Sequence, residues 1–213
     1  MFGSRLFYFV LTSFVTPTMA SAALVYSFGQ SNYTVAPGET VIVDVFLQQT
    51  DTTTILTDEG LIGGGVRVFF DDSAPTEPAQ VLSKTDIIPN PAFDDTFLGA
   101  DLILDAGVSA GFEDSIHDTL SPLVGSRILL GSFVFTAGTI GGEVTNLTAT
   151  DLRTGDQNVA GDFTGLDSMI SNGAATITVD ATAVPEPGSF ALISVLGIVS
   201  MAVRSRRRRH LKV

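Results

Sequence analysis

Arg127-Ile128-Leu129-Leu130-Gly131-Ser132-Phe133-Val134-Phe135 is the clearest strand in this chain. Most of its positions are apolar, the texture of a central strand buried on both faces. Ser126 opens it, and Gly138 to Gly142 read as the turn that follows. The flanking chain has the same character. Upstream, Val35-Ala36-Pro37-Gly38-Glu39 is a turn, with Pro and Gly supplying a fixed and a permissive backbone position. Thr40 to Leu47 then alternates, with Val41, Val43 and Val45 on one face. Gln48 to Glu59 is polar and threonine-rich, a loop. Gly63-Gly64-Gly65 opens a strand, Val66 to Phe70, that stops at Asp71-Asp72. Pro75, Pro78, Pro89 and Pro91 break up residues 73 to 100, which argues against a long regular element there. Leu102-Ile103-Leu104 is a short strand.

Downstream, Val144 to Thr150 alternates, with Val144, Leu147 and Ala149 as the inward positions. Ala174 to Val179 closes the series that Ala23 to Phe28 begins. About nine short strands with Gly- and Pro-rich turns, and no convincing amphipathic helix, predict an all-β chain. The expected architecture is a single antiparallel β-sandwich over residues 23–180, followed by a linker over 181–187. An aromatic residue followed by two acids and a hydroxyl recurs at Phe70, Phe93 and Phe112. The spacing is unequal, so these read as acidic loops behind buried aromatics and not as a repeat.

The two ends are read separately from the fold. Arg5, the apolar stretch Leu6 to Val15 and Ala20-Ser21-Ala22 form a signal peptide over residues 1–22, with cleavage expected between Ala22 and Ala23. At the other end, Val184-Pro185-Glu186-Pro187 precedes 16 uncharged residues, Gly188 to Val203. As a helix these extend about 24 Å at roughly 1.5 Å per residue. That is marginal for a bilayer core of about 30 Å, though Arg side chains can snorkel and lengthen the span. Arg204, Arg206, Arg207, Arg208 and Arg209 follow as a stop, making 204–213 a basic cytoplasmic tail with the body on the far side of the membrane. A buried core helix would fit badly in front of four consecutive arginines.

Charge is distributed unevenly. Arg5 and six tail residues account for seven of the 11 basic residues, so the body keeps only Arg67, Lys84, Arg127 and Arg153. Against them stand 22 acids once Glu186 is set aside, a formal body charge of −18. Such a surface repels nucleic acid and anionic lipid. The chain has no cysteine, which excludes disulfides, zinc–thiolate centres, thiol nucleophiles and Fe–S clusters.

The carboxy-terminal segment closely resembles the PEP-CTERM sorting domain, in which a Pro-Glu-Pro motif, a hydrophobic helix and an arginine-rich end follow one another. Here these are Pro185-Glu186-Pro187, residues 188–203 as the transmembrane helix, and Arg204 to Arg209. The resemblance implies recognition by an exosortase, a membrane-embedded processing enzyme. It further implies delivery to the cell surface or to an exopolysaccharide matrix, after transient anchorage in the inner membrane with the body in the periplasm. Signal peptidase and the secretion machinery are then earlier partners. Local physics agrees with an extended recognition segment, because each proline fixes its own φ and restricts the residue before it.

The body resembles cohesin-like and carbohydrate-binding-module-like β-sandwiches of jelly-roll type. The residues that carry this are Ala36-Pro37-Gly38-Glu39-Thr40-Val41, Gly65 to Asp71, and Leu130 to Phe135. Residues 73 to 125 depart from the pattern, so the resemblance implies the architecture and not dockerin binding.

Catalytic signals are sparse. The body holds one histidine, His117, because His210 lies in the tail; no G-x-S-x-G occurs. Carboxylates are plentiful, yet there is no tryptophan, and only Tyr26 and Tyr33 remain outside the signal peptide to supply sugar platforms. No catalytic residue or bound cofactor is expected. Ca²⁺ is the one ion that suits the acids, since it takes six to eight oxygen ligands. Asp94, Asp95, Asp101 and Asp105 are the candidate ligands, with Asp151, Asp156, Asp162 and Asn158 as a second group. Solvated acidic loops are the alternative. The expected function is that of an exported, non-enzymatic surface or matrix protein with a structural or binding sandwich. The alternatives are a polysaccharide-active enzyme and a calcium- or carbohydrate-binding adhesion module.

Overall fold

A computed structural model of the chain describes residues 23–50, 53–70, 76–93, 100–116, 121–153, 155 and 157–181. The signal peptide, the Pro-Glu-Pro motif, the 188–203 helix, the arginine tail, His117, Asp94, Asp95 and Asp156 all lie outside the described residues.

Among the described residues, twelve strands form two facing sheets. In chain order they are β1 (Leu24–Phe28), β2 (Asn32–Val35), β3 (Thr40–Gln49), β4 (Leu61–Phe70), β5 (Ile87–Pro89), β6 (Asp101–Asp105), β7 (Ser109–Ser115), β8 (Arg127–Thr136), β9 (Val144–Thr150), β10 (Val159–Ala160), β11 (Ile170–Ser171) and β12 (Gly173–Val179). One sheet runs β11-β1-β3-β8-β5. The other runs β2-β12-β9-β4-β7-β6, with β10 also on β4. The all-β expectation holds, with more strands than the expected nine. The additional ones are mostly short: β2, β5, β10 and β11 have two to four residues, too few to show a period. The sandwich is also not wholly antiparallel, because β1 pairs with β11 and β12 with β2 in parallel. A helical turn, Ile55–Asp58, sits inside the expected Gln48–Glu59 loop and buries Leu56.

Strand β8 corrects the reading of the central stretch. Its outer positions Leu129, Ser132 and Val134 are only partly buried, so one face is partly open. It looks continuously apolar because its alternation changes phase. Val45 of β3 pairs with Gly131 and Phe46 pairs with Leu129, which leaves Leu130 as an extra residue in a β-bulge. Ile128 and Leu130 point inward before the bulge, and Phe133 and Phe135 point inward after it. The inserted residue keeps four large side chains in the core across ten residues.

These side chains meet the opposite sheet. Phe135 packs edge-on against Phe70 of β4 with ring centroids 5.1 Å apart, and Phe133 lies 5.8 Å from Phe112 of β7. Such pairs add about 0.5–1.5 kcal/mol each beyond the area they bury. Gly131 makes room for this packing, since a Cβ there would lie 2.6 Å from Phe112 Cζ and 2.7 Å from the Ile88 carbonyl oxygen. The core cluster runs from Leu24 to Val179, so this segment holds a folding unit with its own core.

One inward assignment and one expected loop differ from expectation. In β9, Leu147 and Ala149 are buried, but Val144 is 39% exposed and Thr145 takes the inward place. Thr145 is accommodated because its hydroxyl accepts the Ala79 N–H at 2.8 Å, which satisfies a buried donor. Phe112-Glu113-Asp114-Ser115 is strand, part of β7, and not an acidic loop.

Replacing Gly131 by Val should therefore destabilise the domain by about 1–3 kcal/mol through overpacking. A urea titration would detect this as a lower midpoint at unchanged slope; an unshifted midpoint would contradict the packing described.

Candidate functional site

The outer face of the β9-β4-β7-β6 region sets charged and apolar side chains beside one another in register. Alternation decides which residues reach it. In β6, Leu102 and Leu104 pack on the core, which turns Asp101, Ile103 and Asp105 outward. In β4, Val66, Val68 and Phe70 are buried, so Arg67 and Phe69 face out. Register then aligns Arg67 with Gly111 and Thr150, and Phe69 with Ser109 and Thr148.

Arginine and acid neighbours organise this face. Arg67 donates from Nε to Ser109 Oγ at 2.9 Å and from Nη2 to Asp105 at 3.5 Å. Its guanidinium sits 4.9 Å from the centroid of the Phe69 ring, a cation–π distance. Arg153 reaches across from the chain beyond β9 and donates to Asp101 at 2.9 Å and Glu113 at 2.6 Å. Leu152 beside it is buried over Gly111, where a Cβ would lie 2.6 Å from Leu152 Cδ1. Solvent screens these exposed pairs; their effect is to set positions more than to stabilise.

The two described members of the expected Ca²⁺ set, Asp101 and Asp105, occupy opposite ends of β6. They lie four residues apart, about 13 Å along a strand at about 3.3 Å per residue, and each faces its own arginine. Among the described residues no three His, Cys, Asp or Glu side chains gather as a metal site. In the second group, Asp162 accepts from the Thr164 N–H and hydroxyl. Asn158 is fully buried and used elsewhere.

Asn158 closes a gap in the β4 ladder. Strand β9 pairs with Arg67 to Phe70, and β10 pairs with Leu61 and Gly63. Gly65 falls between them. The Asn158 carboxamide accepts the Gly65 N–H at 3.3 Å and donates to the Gly65 carbonyl at 3.1 Å, as a neighbouring strand would. Asn158 Nδ2 also lies 2.8 Å from the Tyr26 hydroxyl and 2.6 Å from Asp167 Oδ1. Asp167 in turn accepts the Gln157 N–H at 2.6 Å and the Asn158 N–H at 3.2 Å. Tyr26 comes from the other sheet and donates to Gly65 O at 3.1 Å. Glycine is required at 65, because a Cβ would meet Gln157 Cβ at 2.8 Å. The sequence offered no signal for this network, since Tyr26 and Asn158 are 132 residues apart.

Two depressions open elsewhere. One of about 260 Å³ is lined by Thr76, Glu77, Gln80, Leu82 and Thr139 among others. Its carboxylate, Glu77, accepts from the Thr139 hydroxyl at 2.6 Å and backbone N–H at 2.8 Å, which hold it below the usual carboxylate range. The other, of about 430 Å³, is lined by Gln48, Gln49, Thr50, Thr53, Thr54 and Ser126. Among the described lining residues neither contains a pair of carboxylates or an aromatic wall, as a glycosidase site would. Phe163 is a further exposed aromatic, 70% accessible and held at φ 67° in the turn after β10.

No family model matches the sequence, and no curated protein matches it. Solved structures do resemble the fold. A type I cohesin–dockerin complex from Clostridium thermocellum aligns at TM-score 0.50 and 10% identity, over 73% of this chain and 99% of that one. CaCohA2 from Clostridium acetobutylicum, determined in solution, aligns at TM-score 0.50 and 14% identity, over 75% and 93%. The body is thus a cohesin-like β-sandwich, as its sequence suggested, and identities this low speak for the fold alone.

The buried phenol generates a pH prediction. Burial pushes the Tyr26 pKa up, Asp151 and Asp167 push it further, and the Asn158 hydrogen bond opposes them. An unfolded tyrosine ionises near about 10. The contribution of Tyr26 to stability is therefore complete below about pH 10 and is lost as pH rises above that value. Tyr26→Phe should cost about 1–2 kcal/mol at neutral pH through the lost hydrogen bond. Its urea midpoint should also fall less than the wild-type midpoint between about pH 8 and about pH 11.5. Tyr33, also raised by burial, remains in both proteins as an internal control. Parallel alkaline profiles would contradict the assignment.

Proposed function

We propose that this chain is an exported, non-enzymatic surface or extracellular-matrix protein whose cohesin-like sandwich is a protein-binding module. The observation that carries the reading is the fold itself, which extends over the whole body and aligns with nearly the full length of a cohesin solved in complex with a dockerin. The outer β9-β4-β7-β6 face is the proposed contact surface. It presents Phe69 and Ile103 among charges that are pinned in place by Arg67 and Arg153. Aromatic and arginine side chains are the residues most often enriched where proteins bind proteins.

Delivery belongs to the same proposal. The signal peptide with cleavage at Ala22-Ala23 sends the chain out of the cytoplasm, and the PEP-CTERM-like segment built on Pro185-Glu186-Pro187 holds it at the inner membrane for an exosortase-type enzyme. The sequence features that support this are the order of motif, apolar run and arginine cluster. Exopolysaccharide at the destination is a further partner of the delivered protein.

Two experiments separate the parts. Replacing Pro185-Glu186-Pro187 by alanines should leave an unprocessed chain retained at the inner membrane, read by size and by fractionation in the native host. Unchanged processing and delivery would remove the sorting half. A photo-reactive phenylalanine analogue at position 69 should give a discrete protein adduct in the native host, absent when the probe stands at Ile140, exposed in the turn between β8 and β9. Adducts equal at both positions, or none, would remove the binding half.

A further inference from the structure

The opposite face of the sandwich has a different character. On the outer side of the β1-β3-β8-β5 sheet, the outward positions include Val25, Ile42, Phe46, Ile88, Leu129 and Val134. Register places Ile42 opposite Val134, and Phe46 opposite Leu129. Ile88 follows on the next strand, opposite Ser132. A solvent-facing sheet surface ordinarily alternates to polar residues. Here Ile42 is 60% exposed and Ile88 45%.

The charges on this face are already engaged. Asp44 accepts from Ser132 Oγ at 2.6 Å. Arg127 donates to the Phe28 carbonyl at 2.8 Å and lies 3.7 Å from the centroid of the Phe46 ring. A largely apolar surface, with Asp44 and Arg127 held by hydrogen bonds, therefore stands on a body of formal charge −18.

We propose that this face pairs with the same face of a second copy of the chain, about a two-fold axis, to form a weak homodimer. Two bodies of the same strong negative charge repel over most orientations. They can approach where carboxylates are few, and an isologous contact brings that one patch onto itself. Size agrees with a weak association. At about 3.3 Å per residue and about 4.8 Å between strands, the five strands of this sheet cover roughly 500 Å². Two copies would bury about 1,000 Å², near the lower limit for a specific interface. The contact would leave both β9-β4-β7-β6 faces outward, so a dimer would present two binding surfaces. The proposal does not depend on what those surfaces bind.

Charge also separates this occupant from a cationic partner protein. Salt screens the repulsion between like copies, so homodimerisation should strengthen with ionic strength, whereas binding of a basic partner would weaken. The test is sedimentation equilibrium of residues 23–181, from about 10 μM to about 500 μM, the range suited to a weak interface of this size. It is run in about 0.05 M and about 0.5 M NaCl, between which the screening length falls severalfold. The expected result is a mass rising toward the dimer with concentration, more steeply at the higher salt. Ile42→Asp and, separately, Ile88→Ser should weaken association at least about tenfold, and Ile140→Asp, an exposed position off the patch, should not. Circular dichroism spectra matching wild type exclude misfolding as the cause. A monomer throughout, association that weakens with salt, or a dimer indifferent to both patch substitutions would each overturn the proposal.

Discussion

The bulge at Leu130 is the constraint on which the rest of the sandwich depends. Strict alternation from Ile128 would turn Ser132 and Val134 inward and expel Phe133 and Phe135. One unpaired residue reverses the phase, and both phenylalanines enter the core. They supply the β8 side of the two aromatic pairs that join the sheets. Gly131, immediately after the bulge, lacks the side chain that would strike the Phe112 ring. Side-chain volume and backbone irregularity are thus solved together, as close packing of an interior demands. The same device leaves Leu129 and Val134 on the outside, where they join Ile42 and Ile88.

A second irregularity shapes the opposite surface. Strand β4 changes partner along one edge, from β9 to β10. Gly65 would be left without a ladder neighbour there. The Asn158 side chain imitates one, and Asp167 and Tyr26 hold it in place. A buried polar network of this kind is favourable only when its members are satisfied. Just beyond β9, Leu152 lies over Gly111 and Arg153 meets Asp101 and Glu113. Paired strands and ion pairs hold Phe69 and its charged neighbours in a fixed arrangement.

The body has few positive charges, and the fold commits most of them. Arg67 and Arg153 organise one face and Arg127 lies on the other. The excess of carboxylate therefore dominates the field around the domain. That field disfavours nucleic acid and anionic membranes and makes any contact between copies sensitive to salt. The two faces differ accordingly: one is rich in fixed charge, and the other is apolar with its charges satisfied.

What could be read from the chain alone was whatever rests on local pattern. The alternation of Val43, Val45 and Leu47, the Pro37-Gly38 turn and the Gly-rich breaks are short-range signals, and they were enough for an all-β sandwich, its cohesin-like type being implied only by resemblance. Composition was likewise enough to exclude thiol and zinc–thiolate chemistry. The strands of two to four residues, the parallel pairs β1–β11 and β2–β12, and the inward turn of Thr145 were decided only in three dimensions. Each depends on a partner distant in sequence: Ile170 for Leu24, Asn32 for Thr176, Ala79 for Thr145. Asp101 and Asp105 show the same limit. In sequence they belong to one acidic cluster, but a strand separates its ends and gives each aspartate a different arginine. Periodicity is a property of neighbours along the chain, whereas register, bulges and ion pairs are settled by which strands meet, and that information appears only when the two sheets close on each other.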